Sequence, residues 1–137
     1  MDRVFLDANV LFSAAYRPDA GVARLWKLPE VVLLTSTYAV EEARRNLPGQ
    51  DQRDLLGQLL RDMVVGEAMM LPPERRGTIE LPEKDWPVLG GAAAAGATHL
   101  ITGDVRHFGR YFGERLLGVL VLSPAEYLEG RGTAEES

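Results

Sequence analysis

The apolar residues of this chain fall into two patterns. Short unbroken runs occur at Val4-Phe5-Leu6, Val31-Val32-Leu33-Leu34, Leu100-Ile101-Thr102 and Val119 to Leu122. Runs of that length, rich in branched residues and bounded by polar ones, predict strands buried on both faces. Between them the apolar residues recur at helical spacing. Val10 to Tyr16, Gly21 to Leu28 and Tyr38 to Leu47 predict helices, the first followed by the turn Arg17-Pro18-Asp19 and the last stopped by Pro48-Gly49. Asp51 is the expected N-cap of a helix reaching about Val65, with Leu55, Leu56, Leu59, Leu60 and Met63 on one face. Ala68 to Leu71 is read as a third strand and Pro72 to Lys84, with its prolines, as a loop. Trp86 to Ala97 and Arg106 to Phe112 are read as helices. Ser123-Pro124-Ala125-Glu126 has the form of a capping box with proline at the first helical position.

Strands alternating with helices predict an α/β fold with a mainly parallel sheet flanked by helices. A length of 137 residues suits one domain, expected over residues 1–129, with a flexible polar tail over 130–137. Composition narrows the chemistry. With no cysteine, disulfide scaffolds, zinc–thiolate sites and cysteine nucleophiles are excluded. The N-terminus lacks the pattern of a signal peptide, and no apolar run approaches the roughly 20 residues of a membrane span. These features lead us to expect a cytoplasmic protein without membrane association. A net charge of −5 argues against coating nucleic acid by bulk charge, though a local arginine patch is compatible with it. The motif G-x-x-x-x-G-K-[ST] is absent, so the glycine- and alanine-rich stretch near Ala92 reads as a close-packing surface rather than a phosphate loop.

The carboxylates are the informative residues. Parallel sheets bind ligands beyond the carboxyl ends of their strands. Asp7 follows the first strand and Asp104 follows the Leu100 strand. Asp85 opens the helix that leads into that same strand. Glu42 lies one turn into the helix after the second strand, with Glu41 as its direct competitor. Each acid has a plainer reading: Asp7 and Asp85 as helix caps, Glu42 as a solvated partner of Arg45 or Asn46, Asp104 as part of a turn. Gathered on one sheet edge they would repel one another and require a cation. Without cysteine or paired histidines, oxygen ligation of Mg²⁺ or Mn²⁺ is the metal chemistry best supported.

LDANVLFSA, STYAVEEARRNL, DWPVLGGAAAAGATHLITGD and the trailing RHF, taken in order, resemble the PIN-domain nucleases, many of them VapC-like toxins of toxin–antitoxin pairs. The resemblance spans roughly residues 3 to 125. It implies Asp7, Glu42, Asp85 and Asp104 as a catalytic metal site for Mg²⁺ or Mn²⁺, with Asn9 and Thr102 as supporting polar positions. It further implies RNA as substrate, a homodimer and a cognate antitoxin. Arg106 and Arg110, four residues apart, are candidates to hold flanking phosphates, and His107 between them is a candidate substrate contact. The expected function is a metal-dependent endoribonuclease leaving 5′-phosphate and 3′-hydroxyl ends. The alternative is a non-catalytic PIN-like module binding RNA or protein. A phosphoacceptor domain fits poorly, because Lys27 and Lys84 do not end a late strand and Asn9 stands where a D-x-D motif needs a second acid.

Overall fold

In a computed structural model the chain forms three layers, helices on both faces of one sheet. The structure describes residues 1–136, and side chains through Gly130. The strands are β1 (Asp2–Leu6), β2 (Val31–Ser36), β3 (Val64–Gly66), β4 (His99–Ile101), β5 (Arg115–Leu116) and β6 (Val119–Leu122), in the spatial order β3-β2-β1-β4-β6-β5. All neighbouring pairs are parallel except β5 with β6. The helices are α1 (Ala8–Tyr16), α2 (Thr37–Asn46), α3 (Gln50–Leu60), α4 (Trp86–Ala94), α5 (Val105–Phe108) and α6 (Pro124–Glu136). The α/β class and the mainly parallel sheet are as expected.

The unbroken apolar runs have the predicted cause. Successive residues of each central strand point to opposite faces, and both faces are covered. Val4 and Leu6 of β1, Leu33 of β2 and Ile101 of β4 join α1, α2 and α3 in one core. Phe5, Leu34 and Leu100 point the other way, into a second core with Trp86, Leu89 and Phe108. Three of the four leucines of α3 face the first core: Leu56 is fully buried and Leu59 and Leu60 pack against the cluster, as does Met63 beyond the helix, whereas Leu55, expected on the same face, is not part of it.

Several boundaries differ from expectation. The third strand is Val64–Gly66, not Ala68–Leu71. The two adjacent valines pair in parallel with Leu34 and Thr35 of β2, which ends α3 at Leu60. Residues 69–71 instead cross α4 at Gly90, where a Cβ would stand 1.8 Å from the Met69 carbonyl oxygen. Met69 and Met70 are each 51% exposed. The N-cap of α3 is Gly49 rather than Asp51, and Gln52 Oε1 accepts the Gly49 N–H at 3.0 Å. Strand β5 was not expected. It closes a hairpin through Leu117 (φ 54°) and Gly118 (φ 83°), both left-handed, as a two-residue primed turn requires. The expected helix over Arg106 to Phe112 is α5 followed by a 3₁₀ turn at Gly109–Tyr111. The backbone of α6 is helical to Glu136, into the stretch expected as a tail. Beyond Gly130 that expectation lies outside the described side chains.

Candidate metal centre at the sheet edge

Chain connection reverses direction in the sheet between β1 and β4: β1 leads outward to β2 and β3, while β4 leads to β6 and β5. Such a switch point leaves a crevice at the carboxyl ends of the strands. Asp7 leaves β1 there and Asp104 leaves β4, and the two strand ends are joined by the Asp7 N–H donating to the Ile101 carbonyl at 3.0 Å. A cavity of about 360 Å³ opens at this point, lined among others by Asp7, Asn9, Glu42, Lys84, Asp85 and Asp104. Four carboxylates from four separate stretches of sequence thus share one cavity. Helix periodicity separates the two candidate glutamates. Glu42 faces the cavity, whereas Glu41 pairs with Arg44 at 3.3 Å on the solvent side.

Asp7 is the deepest of the acids, only 4% exposed. Its Oδ1 accepts the Ala8 N–H at 2.7 Å, so it caps α1 as its position suggested. Its Oδ2 accepts the Thr102 hydroxyl at 2.8 Å and the Asn9 amide at 3.3 Å. Burial nevertheless pushes its carboxyl up to about 6, against an ordinary 3.8. The Thr102 and Ala8 hydrogen bonds oppose that shift, and the charges of Asp85 and Glu42 add to it. Asn9 and Thr102 are therefore structural partners of the site. The side-chain Oδ1 of Asn9 accepts the Gly103 N–H at 2.7 Å, and the Thr102 hydroxyl oxygen accepts the Asp104 N–H at 3.1 Å. Together they fix the turn carrying Asp104 against the end of β1.

Asp85 enters from the opposite layer, on the 3₁₀ turn Glu83–Asp85 that opens α4. It makes no side-chain cap. Burial raises its pKa first of all; Asp104 and Glu42 raise it further, while His107 and Lys84 pull it down. The approach to Asp85 is held by Arg76. Its guanidinium donates to the Leu71 carbonyl at 2.9 Å, pairs with Glu83 at 2.6 Å and lies 4.4 Å over the Trp86 ring. On the other side, the Tyr38 hydroxyl donates to the Lys84 carbonyl at 2.8 Å.

His107, expected as a substrate contact, lies among the acids themselves. Its Nδ1 lies 2.9 Å from Asp85 Oδ2 and 2.9 Å from Asp104 Oδ2. Both distances are those of ion pairs, yet neither contact has the direction of a hydrogen bond. Nδ1 and Asp85 Oδ2 are buried atoms without a hydrogen-bond partner. The signal in the sequence was the three-residue spacing from Asp104, which puts the two side chains on one helix face. The arginines separate. Arg106 is exposed and does not line the cavity. Arg110 lies beyond the break at Gly109, pairs with Glu80 at 2.8 Å and sits over the Tyr111 ring. A shared arginine face needs a continuous α-helix, and the chain does not form one there.

The residues fit a divalent cation. Four acids converge, one is buried deeply enough to resist ionising, and a buried carboxylate oxygen is unpartnered beside them. No family model matches the sequence, and no curated protein matches it. Solved structures do. VapBC2 from Rickettsia felis, crystallised bound to a DNA fragment from their promoter, superposes with a TM-score of 0.62 at 12% identity over 88% of this chain and 98% of that one. VapC20 from Mycobacterium tuberculosis, a Sarcin-Ricin loop cleaving toxin, superposes at 0.53 with 14% identity over 74% and 91% of the respective chains. The chain has a VapC-like PIN-domain fold.

Proposed function

We propose that the protein is a divalent-metal-dependent endoribonuclease, the toxin member of a toxin–antitoxin pair acting in the cytoplasm. The observation that carries this reading is the convergence of Asp7, Glu42, Asp85 and Asp104 on one cavity at the switch point of a VapC-like fold. Asp7, Asp85 and Asp104 would hold Mg²⁺ or Mn²⁺, with Glu42 helping from α2. When bound, such an ion offsets the repulsion among the acids, polarises a phosphate oxygen and lowers the pKa of a water. The chain itself supplies the frame. Asn9 and Thr102 fix Asp7 relative to Asp104, and Arg76 with Trp86 fixes the turn that delivers Asp85. Lys84 lines the same cavity and supplies a positive charge for a phosphate flanking the cut. His99 pairs edge-on with Tyr127 instead of facing His107, so the two histidines form no acid–base pair. Attack by an internal 2′-hydroxyl is therefore not favoured, and products with 5′-phosphate and 3′-hydroxyl ends are expected.

VapC20 is named for cleaving the Sarcin-Ricin loop, which supports RNA as the substrate class. A cognate antitoxin that reaches the acidic cavity with an arginine or lysine, and a homodimeric assembly, complete the proposal. The test is cleavage of end-labelled single-stranded RNA by wild type and Asp104→Asn, in Mg²⁺, Mn²⁺ or EDTA, with the product ends mapped. Cutting by the wild type alone, lost in EDTA and leaving 5′-phosphates, is the expected result. Cyclic-phosphate products that persist in EDTA overturn the reading. RNA binding without metal and without turnover would favour the non-catalytic module instead.

A further inference from the structure

We infer that His107 is a nitrogen donor of the metal site, so that the site prefers Mn²⁺, or another divalent cation that accepts imidazole, over Mg²⁺. The inference rests on the metal-dependent reading above and adds the identity of one donor and the class of cation. Three observations support it. One ligand atom each of His107, Asp85 and Asp104 lie within 4.8 Å of one another, as a single ion would require. Nδ1 stands 2.9 Å from each of the two Oδ2 atoms. Donors on adjacent corners of an octahedron, each about 2.1 Å from a common ion, are separated by about 3.0 Å. Neither short contact is a hydrogen bond, and both Nδ1 and Asp85 Oδ2 are buried without a partner, although Asp85 is only 8% exposed. The ring is held in place by its own helix turn, whose His107 N–H donates to Asp104 Oδ1 at 3.1 Å. The tautomer with hydrogen on Nε2 then presents the Nδ1 lone pair to the two acids. Imidazole is a poor donor for Mg²⁺, whereas first-row divalent ions take it with an affinity that starts low at Mn²⁺ and rises through Co²⁺ to Ni²⁺, with Zn²⁺ also a good acceptor.

The test is metal binding by the intact protein, measured apart from RNA cleavage. Calorimetry with Mn²⁺ and with Mg²⁺ is run on wild type, His107→Ala and Asp104→Asn. The Mn²⁺-loaded wild type is also examined by electron spin-echo spectroscopy for modulation by a ligated ¹⁴N. We expect tighter binding of Mn²⁺ than of Mg²⁺ and ¹⁴N modulation in the wild type. His107→Ala should lose the modulation and weaken Mn²⁺ by about tenfold or more, with much less effect on Mg²⁺. The wild-type spectrum needs no variant, so the inference is testable even where the alanine protein folds poorly. Mn²⁺ binding without nitrogen modulation overturns the inference and leaves the nuclease reading intact. Tighter Mn²⁺ binding by His107→Ala also overturns it, because the ring would then be a counter-charge that a cation must displace. Nitrogen-ligated Mn²⁺ in a protein that cuts no RNA upholds the inference and sinks the nuclease reading. Absence of any metal binding refutes both.

Discussion

Asp7→Asn is expected to stabilise the metal-free protein at neutral pH while removing its activity. In the folded chain the Asp7 carboxyl titrates at about 6, against an ordinary 3.8, chiefly because it is buried. A folded-state pKa above the unfolded one means that the native state holds the proton more tightly. The stabilising contribution is therefore full below about pH 4 and is lost as pH rises toward 6. About two pKa units correspond to roughly 3 kcal/mol of native-state stability absent at pH 7 and above. Asparagine carries no charge and escapes that loss. It also forfeits something. Asp7 Oδ2 accepts from both Thr102 and Asn9, and an amide nitrogen in that place gives up an acceptor, a cost of about 1 kcal/mol. The net gain near pH 7.5 is about 2 kcal/mol, which for a domain of this size raises Tm by several degrees. Urea and thermal unfolding of both proteins in EDTA, from pH 4.5 to 8, measures it. The difference between them should shrink toward zero or change sign at the acid end. Saturating Mn²⁺ should raise wild-type stability by mass action and leave the variant nearly unmoved. A stability difference that does not vary with pH, or a variant less stable than wild type at pH 7.5, would refute the reasoning, since it would mean that Asp7 is not held as a strained anion.

Two substitution pairs probe other parts of the argument. Glu42→Gln should weaken metal binding and RNA cleavage markedly, whereas Glu41→Gln, one residue away but paired with Arg44 on the surface, should leave both within about twofold of wild type; calorimetry and the cleavage assay read the contrast, and equal effects would count against the placement of Glu42. Gly90→Ala should cost about 2–3 kcal/mol in urea unfolding, because its Cβ would stand 1.8 Å from the Met69 carbonyl oxygen. Gly57→Ala, in α3 with open space around it, should instead be neutral or stabilising by up to about 1 kcal/mol.

The parts of the fold that were legible are those where burial dictates composition. Val4 to Leu6, Val31 to Leu34 and Val119 to Leu122 are apolar at consecutive positions because two cores claim alternate residues. Where pairing rather than burial decides, the pattern is silent. Val64 and Val65 are exposed in the edge strand, so they read as the continuation of α3. Strand β5 is announced by no turn residue at Leu117, which adopts a left-handed conformation without being glycine or asparagine. The same division runs through the site. Asp7 and Asp104 were legible because each follows an apolar run at a strand end, and Glu42 because helix periodicity rotates it away from Glu41. What the pattern did not reveal depends on contacts made only after folding. Arg76 is held by a carbonyl, a glutamate and an indole brought together by an irregular loop. Arg110 is turned toward Glu80 by a helix break that its spacing from Arg106 does not reveal.

These placements bear on how a chain with a net charge of −5 approaches a polyanion. Arg44, Arg76 and Arg110 each face a glutamate, so their charge is locally cancelled. Lys84 lines the cavity, while Arg45 near Tyr38 and Arg106 outside the cavity are exposed without an ion pair among the described residues. A few such cations release few counterions, so bulk electrostatics would contribute little to binding a polyanion. The acids themselves repel phosphate until their charge is offset. The buried position of Asp7 favours that offset, since the same burial that opposes its ionisation strengthens its attraction to a cation placed beside it. In this reading one property, the depth of a single carboxylate at the end of β1, makes the metal-free protein less stable at neutral pH and adds to the cavity's affinity for a divalent ion.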